Sequence, residues 1–213
     1  MTISLADLRR DYTQATLSES DAGAEPMSLF AHWFKEALEA KVPEPNAMSL
    51  ATVGANGRPS SRIVLLKDFD ARGFTWYTNY ASRKAQDLLD NPYAALTFHW
   101  VELERQVRIE GRVERVAEAE SDAYFQVRPL KSQIGAIASA QSQPIANRAQ
   151  LEKQYEEAAL KFGDAPVRPT QWGGYRLTPD IVEYWQGRSS RLHDRLLYTK
   201  EADGQWLKQR LQP

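Results

Sequence analysis

The chain has 213 residues and 42% hydrophobic content, enough to bury a full core in one compact domain. Its 27 basic and 28 acidic residues leave a formal net charge of -1, without the basic excess that marks a nucleic-acid-binding domain. With no cysteine it has no disulfides, thiolate metal sites or cysteine nucleophiles, which fits a reducing compartment.

Residues 1–25 are polar, carry Asp-Ala-Gly-Ala-Glu-Pro at 21–26, and read as a mobile N-terminal arm able to serve as a lid. Asp7, Arg9 and Arg10 interrupt the start before any apolar stretch of signal-peptide length can form. No segment reaches the roughly 18 apolar residues of a membrane span, so a soluble, cytoplasmic protein is expected. Residues 26–213 read as a single domain.

From 27 to 41 the apolar residues Leu29, Phe30, Trp33, Phe34, Ala37 and Leu38 recur at spacings of three and four, which predicts a helix with one buried face. Pro43 and Pro45 end it. Strands are predicted at 48–53, 62–67 and 74–79, with turn chemistry at 54–57 and 70–73, as an antiparallel meander. Ser82 is placed to cap a short helix that runs to Leu89 and ends at Asn91-Pro92. Strand character resumes at 94–100 and 104–116. In the second, Val107, Ile109 and Val113 share one face and Gln106, Arg108, Glu110 and Arg112 the other.

Helices are predicted at 117–127, 131–139 and 147–162, the last with a capping box from Asn147 and Gln150 and with Gly163 just past its end. Its Leu151, Tyr155, Ala158 and Phe162 stripe reads as packing. Strands follow at 172–177, 181–185, 192–199 and 206–211. Strands, then helices, then strands again, without βαβα alternation, predict an α+β chain that is mostly β: an antiparallel barrel with peripheral helices.

No G-x-G-x-x-G and no G-x-x-x-x-G-K-[ST] occurs, so a phosphate would have to be held by side chains. Arg62 and Lys67 bracket one strand, and Arg83 and Lys84 occupy the first turn of the helix that Ser82 begins. Cations at a helix N-terminus oppose its dipole; either they point to solvent or a bound anion reverses the sign. Arg128 and Lys131 form a second basic set beside Tyr124 and Ser132, with hydroxyl donors to supplement the guanidinium. The run Trp185-Gln186-Gly187-Arg188-Ser189-Ser190-Arg191-Leu192-His193-Asp194-Arg195 is the most concentrated: either a solvated surface or an anion site. If it is a strand, Arg191, His193 and Arg195 project to one side. The three histidines, at 32, 99 and 193, show no H-E-x-x-H, and no G-x-S-x-G is present, so neither a zinc site nor a serine elbow is predicted.

Seven segments, in order, carry a resemblance: Arg62 to Lys67; Tyr77-Thr78-Asn79 with Ser82-Arg83-Lys84; Glu104-Arg105-Gln106-Val107; Arg128-Pro129 with Ser132-Gln133-Ile134-Gly135-Ala136; Gln141-Ser142; Trp185-Gln186-Gly187; and Arg191-Leu192-His193-Asp194-Arg195. Together they resemble the pyridoxine/pyridoxamine 5'-phosphate oxidase family over nearly the whole chain. The resemblance implies an FMN-binding split β-barrel and a homodimer with FMN at the subunit interface. The implied reaction moves a hydride from C4' of pyridoxine 5'-phosphate or pyridoxamine 5'-phosphate to flavin N5, with dioxygen reduced to hydrogen peroxide and pyridoxal 5'-phosphate as product. It places FMN on Arg62, Ile63, Val64, Leu65, Leu66, Lys67, Tyr77, Thr78, Arg83 and Lys84, with Gln106, Gln141, Ser142, Trp185 and Arg195, some from the partner chain. The substrate phosphate falls to Lys67, Tyr124, Arg128 and Ser132. Arg191 and His193, with Leu192 between them, face the reacting ring as the catalytic pair. Arg9, Arg10, Asp11 and Tyr12 match the family segment that folds over the substrate. Arg188-Ser189-Ser190 has no assigned role. The alternatives are a related split-barrel flavin oxidase acting on another substrate, such as a phenazine precursor, and a non-catalytic protein that binds FMN or pyridoxal phosphate. No metal, nucleic acid or membrane partner is expected.

Overall fold

The computed structural model describes residues 11–213. Among them are nine strands, α1 to α5 and short 3-10 turns. The strands are β1 (Ala47–Val53), β2 (Pro59–Leu65), β3 (Asp68–Asp70), β4 (Gly73–Asn79), β5 (Tyr93–Trp100), β6 (Arg105–Arg115), β7 (Trp172–Gln186), β8 (Asp194–Lys200) and β9 (Trp206–Arg210). The helices are α1 (Pro26–Glu39), α2 (Arg83–Asp90), α3 (Glu118–Val127), α4 (Leu130–Ala138) and α5 (Arg148–Phe162). The sheet order is β2-β1-β5-β6-β7-β4-β3, with β8 beside β7 and β9 beside β8. The pairs β3/β4, β4/β7, β7/β8 and β8/β9 are all antiparallel. No helix among the described residues is long and apolar enough to cross a membrane.

The chain divides into two compact units. Among the described residues, one comprises 11–49 with Leu96–Glu110 and Pro179–Pro213; the other comprises Leu50–Ala95 and Gly111–Thr178. In the first, α1 buries Leu29, Phe30, Trp33 and Ala37, the face predicted from their spacing. Trp33 meets Tyr184 edge-on at 5.1 Å and Phe30 meets Phe98 at 5.1 Å, an aromatic core that strengthens apolar burial with ring-edge attraction. Leu38, expected on that face, is 55% exposed because it falls at the edge of the stripe the other residues define. In the second unit, Phe74 and Trp76 are fully buried, and Trp76 stacks on Tyr175 at 6.0 Å.

The alternation predicted for β6 holds, with Val107, Ile109 and Val113 buried and Arg108 and Arg112 exposed. Asn147 caps α5 by accepting from the Gln150 amide at 2.9 Å. Three expectations need correction. The two strands predicted at 172–177 and 181–185 are one, β7, since each half has its own partner: 172–177 pairs with β4 and 181–186 with β8. Pro179 lies between the two registers, where no amide is needed by either ladder. Ser82 precedes α2 but makes no side-chain cap; its hydroxyl accepts from Lys84 Nζ at 3.3 Å instead. The last correction concerns 192–199, where β8 starts only at Asp194. Ser189–Arg191 is a 3-10 turn with Ser190 and Arg191 at φ 55° and 61°, so Arg191 and His193 do not share a strand face with Arg195.

Candidate functional site

The second unit holds a cavity of about 1020 Å³ whose walls come from three stretches of sequence far apart in the chain. β2 and the residue pair after it contribute Arg62, Ile63, Val64, Leu65 and Lys67; β4 and α2 contribute Tyr77, Thr78, Arg83 and Lys84. The α3–α4 turn and the loop after α4 add Tyr124, Arg128, Ser132, Gln141 and Ser142. Five cationic side chains therefore line one cavity, and no acidic residue lines it. Of the segment 62–67, only Leu66 turns away, buried at 4% exposure in the core.

Lys84 is buried and bonded to Thr78 Oγ1 at 3.0 Å, Ser82 Oγ at 3.3 Å and Gln141 Oε1 at 3.0 Å. Burial, assisted by the Arg62 charge, pulls its pKa down to about 8. It thus does not point to solvent, whereas its neighbour Arg83 is exposed. Arg62 is fixed from below: Nη1 donates to the Leu50 carbonyl at 3.0 Å and to Thr52 Oγ1 at 2.8 Å, and Nη2 donates to Ser60 Oγ. Both hydroxyls in turn donate hydrogen bonds to Asp87 Oδ2, at 2.7 and 2.8 Å. Burial opposes ionisation of Asp87, but these two hydroxyls and the Arg83 and Arg62 charges outweigh it and hold its pKa below the usual value. Asp87 and Ser60 were missed in the sequence; no local spacing joins a helix carboxylate to a strand hydroxyl 27 residues away.

Tyr77, Tyr124 and Trp172 form a near-parallel stack, with Tyr77 3.9 Å from Tyr124 and 5.6 Å from Trp172. Gly174 on β7 makes this possible, since a Cβ there would lie 2.8 Å from the Tyr77 ring. Burial raises the Tyr77 hydroxyl to about 12, so it remains a neutral donor. Arg128 is the extended residue that ends α3, and it meets Tyr124 through Trp172. Trp172 was read from the sequence only as the start of a strand.

Buried Arg128 Nη1 has no hydrogen-bond partner. An unpaired guanidinium nitrogen, four further cations and no counter-charge on the wall form a donor set suited to phosphate, so these residues fit a phosphorylated cofactor and a phosphorylated substrate.

The remaining expected residues that the structure describes lie in the first unit. His193 packs 4.7 Å from the Trp185 ring, and Tyr12 meets both rings edge-on, at 5.8 and 5.7 Å. Arg195 Nε donates to Glu183 Oε1 at 2.8 Å and its Nη1 donates to the Gln212 carbonyl at 2.9 Å. Gln106 is half-buried on β6, and Asp11, Arg191 and Leu192 are exposed. Arg9 and Arg10 lie outside the described residues.

Two family models match, pyridoxamine 5'-phosphate oxidase over residues 34–162 and the pyridoxine 5'-phosphate oxidase C-terminal dimerisation region over residues 172–213. A pyridoxine/pyridoxamine 5'-phosphate oxidase of Herminiimonas arsenicoxydans is 66% identical over 99% of this chain and 100% of its own length. The chain belongs to the pyridoxine/pyridoxamine 5'-phosphate oxidase family. Another member, from Janthinobacterium sp. strain Marseille, is 63% identical over 99% of this chain and 100% of its own. Among solved structures, PhzG from Burkholderia lata 383, in complex with tetrahydrophenazine-1-carboxylic acid, is 34% identical with a TM-score of 0.87, over 91% of this chain and 95% of that one. A pyridoxamine 5'-phosphate oxidase-related, FMN binding protein from Nostoc punctiforme PCC 73102 is 19% identical with a TM-score of 0.73, over 90% of this chain and 100% of that one. This last likeness concerns the fold, and the expected antiparallel split barrel with peripheral helices is borne out. The chain is therefore an oxidase of this family.

Proposed function

We propose that the protein is an FMN-dependent oxidase that converts pyridoxine 5'-phosphate and pyridoxamine 5'-phosphate to pyridoxal 5'-phosphate in the cytoplasm, acting as a homodimer through its C-terminal region. The observation that carries this reading is the single cavity with five cations, no acid and an unpartnered Arg128 nitrogen. Bound FMN supplies the hydride acceptor, and dioxygen takes the electron pair onward to hydrogen peroxide.

Arg62, Lys67, Arg83 and Lys84 hold the cofactor with Ile63, Val64, Leu65, Tyr77, Thr78, Gln141 and Ser142, all of which line the cavity. Gln106, Trp185 and Arg195 complete that site, supplied by the other subunit. Lys67, Tyr124, Arg128 and Ser132 bind the substrate phosphate, which anchors the ring away from the reacting carbon. Arg191 lies over the pyridine ring and fixes its pose, and His193 contacts the reacting end. The start of the N-terminal arm acts as the lid, with Arg9, Arg10, Asp11 and Tyr12 closing over the substrate to exclude water, while Leu17 and Ala22, buried in the core, anchor the rest of the arm.

A second reading is favoured by the likeness to PhzG: oxidation of a reduced phenazine carboxylate. Against it stand the phosphate-binding quartet and the much higher identity to the named oxidases. The test is anaerobic mixing of the flavin-loaded protein with pyridoxine 5'-phosphate. Bleaching of the yellow chromophore supports the reading. A flavin that stays oxidised overturns it, and bleaching only by tetrahydrophenazine-1-carboxylic acid moves the assignment to the second. A flavin that neither compound bleaches leaves a binding protein without turnover.

A further inference from the structure

The turn Arg188-Ser189-Ser190 lacks a role in the family assignment, yet it makes the one hydrogen bond to His193 among the described residues. The main-chain N–H of Arg188 donates to His193 Nδ1 at 3.1 Å. A ring nitrogen that accepts a hydrogen bond carries no proton, so the proton of the neutral imidazole sits on Nε2. We propose that Arg188 is a positioning residue that holds His193 as its Nε2–H tautomer, so that His193 meets the substrate as a hydrogen-bond donor and not as a proton acceptor.

Three features of the turn enforce this contact. Ser190 and Arg191 both adopt left-handed backbone, φ 55° and 61°, which doubles the chain back so that an amide at 188 reaches a ring at 193. Two consecutive non-glycine residues in that region are strained and persist only where neighbours over-determine them. Those neighbours are present. The Leu192 amide closes the turn on the Ser189 carbonyl at 3.1 Å, and the Arg188 guanidinium pairs with Asp194 Oδ2 at 3.1 Å. Asp194 is itself fixed by Arg210 Nη1 at 2.8 Å and by the Leu17 amide at 3.1 Å. The Arg188 side chain thus pins the residue whose amide sets the ring. Trp185 at 4.7 Å and Tyr12 at 5.8 Å flank the imidazole and oppose its rotation.

The consequence for the substrate rests on the function proposed above; the tautomer itself does not. The test is a nitrogen-15 spectrum of the FMN-loaded, histidine-labelled protein, with the His193 signals identified by their loss in His193→Asn. The expected spectrum has Nε2 protonated and Nδ1 bare. Arg188→Ala keeps the amide but loses the Asp194 pair. It is expected to populate both tautomers and lower kcat with pyridoxine 5'-phosphate roughly tenfold to a hundredfold, as a misplaced reacting group does, with FMN affinity within about twofold of wild type. Arg188→Lys, which retains a cation for Asp194, restores spectrum and rate. A proton on Nδ1 in the unmodified protein overturns the proposal, and so does an Arg188→Ala spectrum identical to the wild type. Because the spectrum is read without substrate, failure of the assigned reaction does not decide this test.

Discussion

The guanidinium of Arg128 lies over the indole of Trp172, its Cζ 4.5 Å from the ring centroid, while its Nη1 is buried without a partner. The ring fixes the plane of the fork, and the free nitrogen leaves one donor for a ligand. Burial lowers the pKa of Arg128 from its usual value, with the nearby Tyr124 acting against it, so the charge gains most from an anion that enters the cavity.

Trp172→Leu is therefore expected to raise KM for pyridoxine 5'-phosphate by roughly fivefold to thirtyfold, the range of a partly desolvated cation–π contact, and to leave kcat within about twofold. Steady-state kinetics with pyridoxine and its 5'-phosphate separate the causes. Equal losses for both compounds would detach Arg128 from the phosphate.

Much of this cavity was legible before any fold was known, because its cations sit in short separate motifs: 62–67, 83–84 and 128–132. Local rules also sufficed for β6, whose period of two is strict, and for the Asn147 cap. What stayed hidden depends on partners distant in sequence. Trp172 acquires its role only from rings at 77 and 124, and Asp87 only from hydroxyls at 52 and 60. Pro179 looks like a strand breaker until the two halves of β7 are seen to pair with different neighbours. The turn at 189–191 escaped for a related reason. Nothing in Arg-Ser-Ser-Arg announces left-handed backbone; ion pairs from Asp194 and Arg210 impose it.

Lys84 carries a pH signature. Its folded pKa of about 8 lies below the ordinary 10.5, so the unfolded chain holds a proton that the folded one does not between those values. In the absence of ligand, this group's penalty is fully present below pH 8 and disappears as pH rises to 10.5. Phosphate binding has the opposite sense, since it needs the charged amine. FMN affinity measured by titration is expected to fall above pH 8 by up to roughly tenfold per unit, with proton uptake on binding. Lys84→Met flattens that dependence and weakens binding below pH 8. A slope unchanged in the variant would assign the titration elsewhere.

Asp87 never lines the cavity, but it governs Arg62 through two shared hydroxyls. Asp87→Asn is expected to lower stability at pH 7 by about 1–3 kcal/mol, as loss of charged acceptors does, and to weaken FMN retention several-fold. The folded pKa is depressed, so its contribution is present above the usual 3.8 and lost as pH falls through the folded value. Wild type and variant should thus converge in acid-unfolding curves. A constant stability gap down to the lowest pH would rule out the carboxylate charge as the source.

Glu104 and Gly187 together place Tyr12. The Glu104 carboxylate accepts the amides of Thr13 and Gln14, at 2.9 and 3.1 Å, and its carbonyl accepts the Gly187 amide at 2.7 Å. Gly187 has no side chain because the space is taken: a Cβ there would lie 2.8 Å from Tyr12 Cγ and 3.1 Å from Glu104 Cβ. Glu104→Ala removes the anchor, and Gly187→Ala pushes the ring from its seat against Trp185 and His193. Both are expected to accelerate proteolytic cleavage near residues 11–14, Glu104→Ala by about thirtyfold, since two part-buried hydrogen bonds at roughly 1 kcal/mol apiece hold the segment. KM for pyridoxine 5'-phosphate should rise with the cleavage rate while FMN affinity stays fixed. Faster cleavage without a change in KM would mean that this segment docks on the protein but takes no part in closing over the substrate.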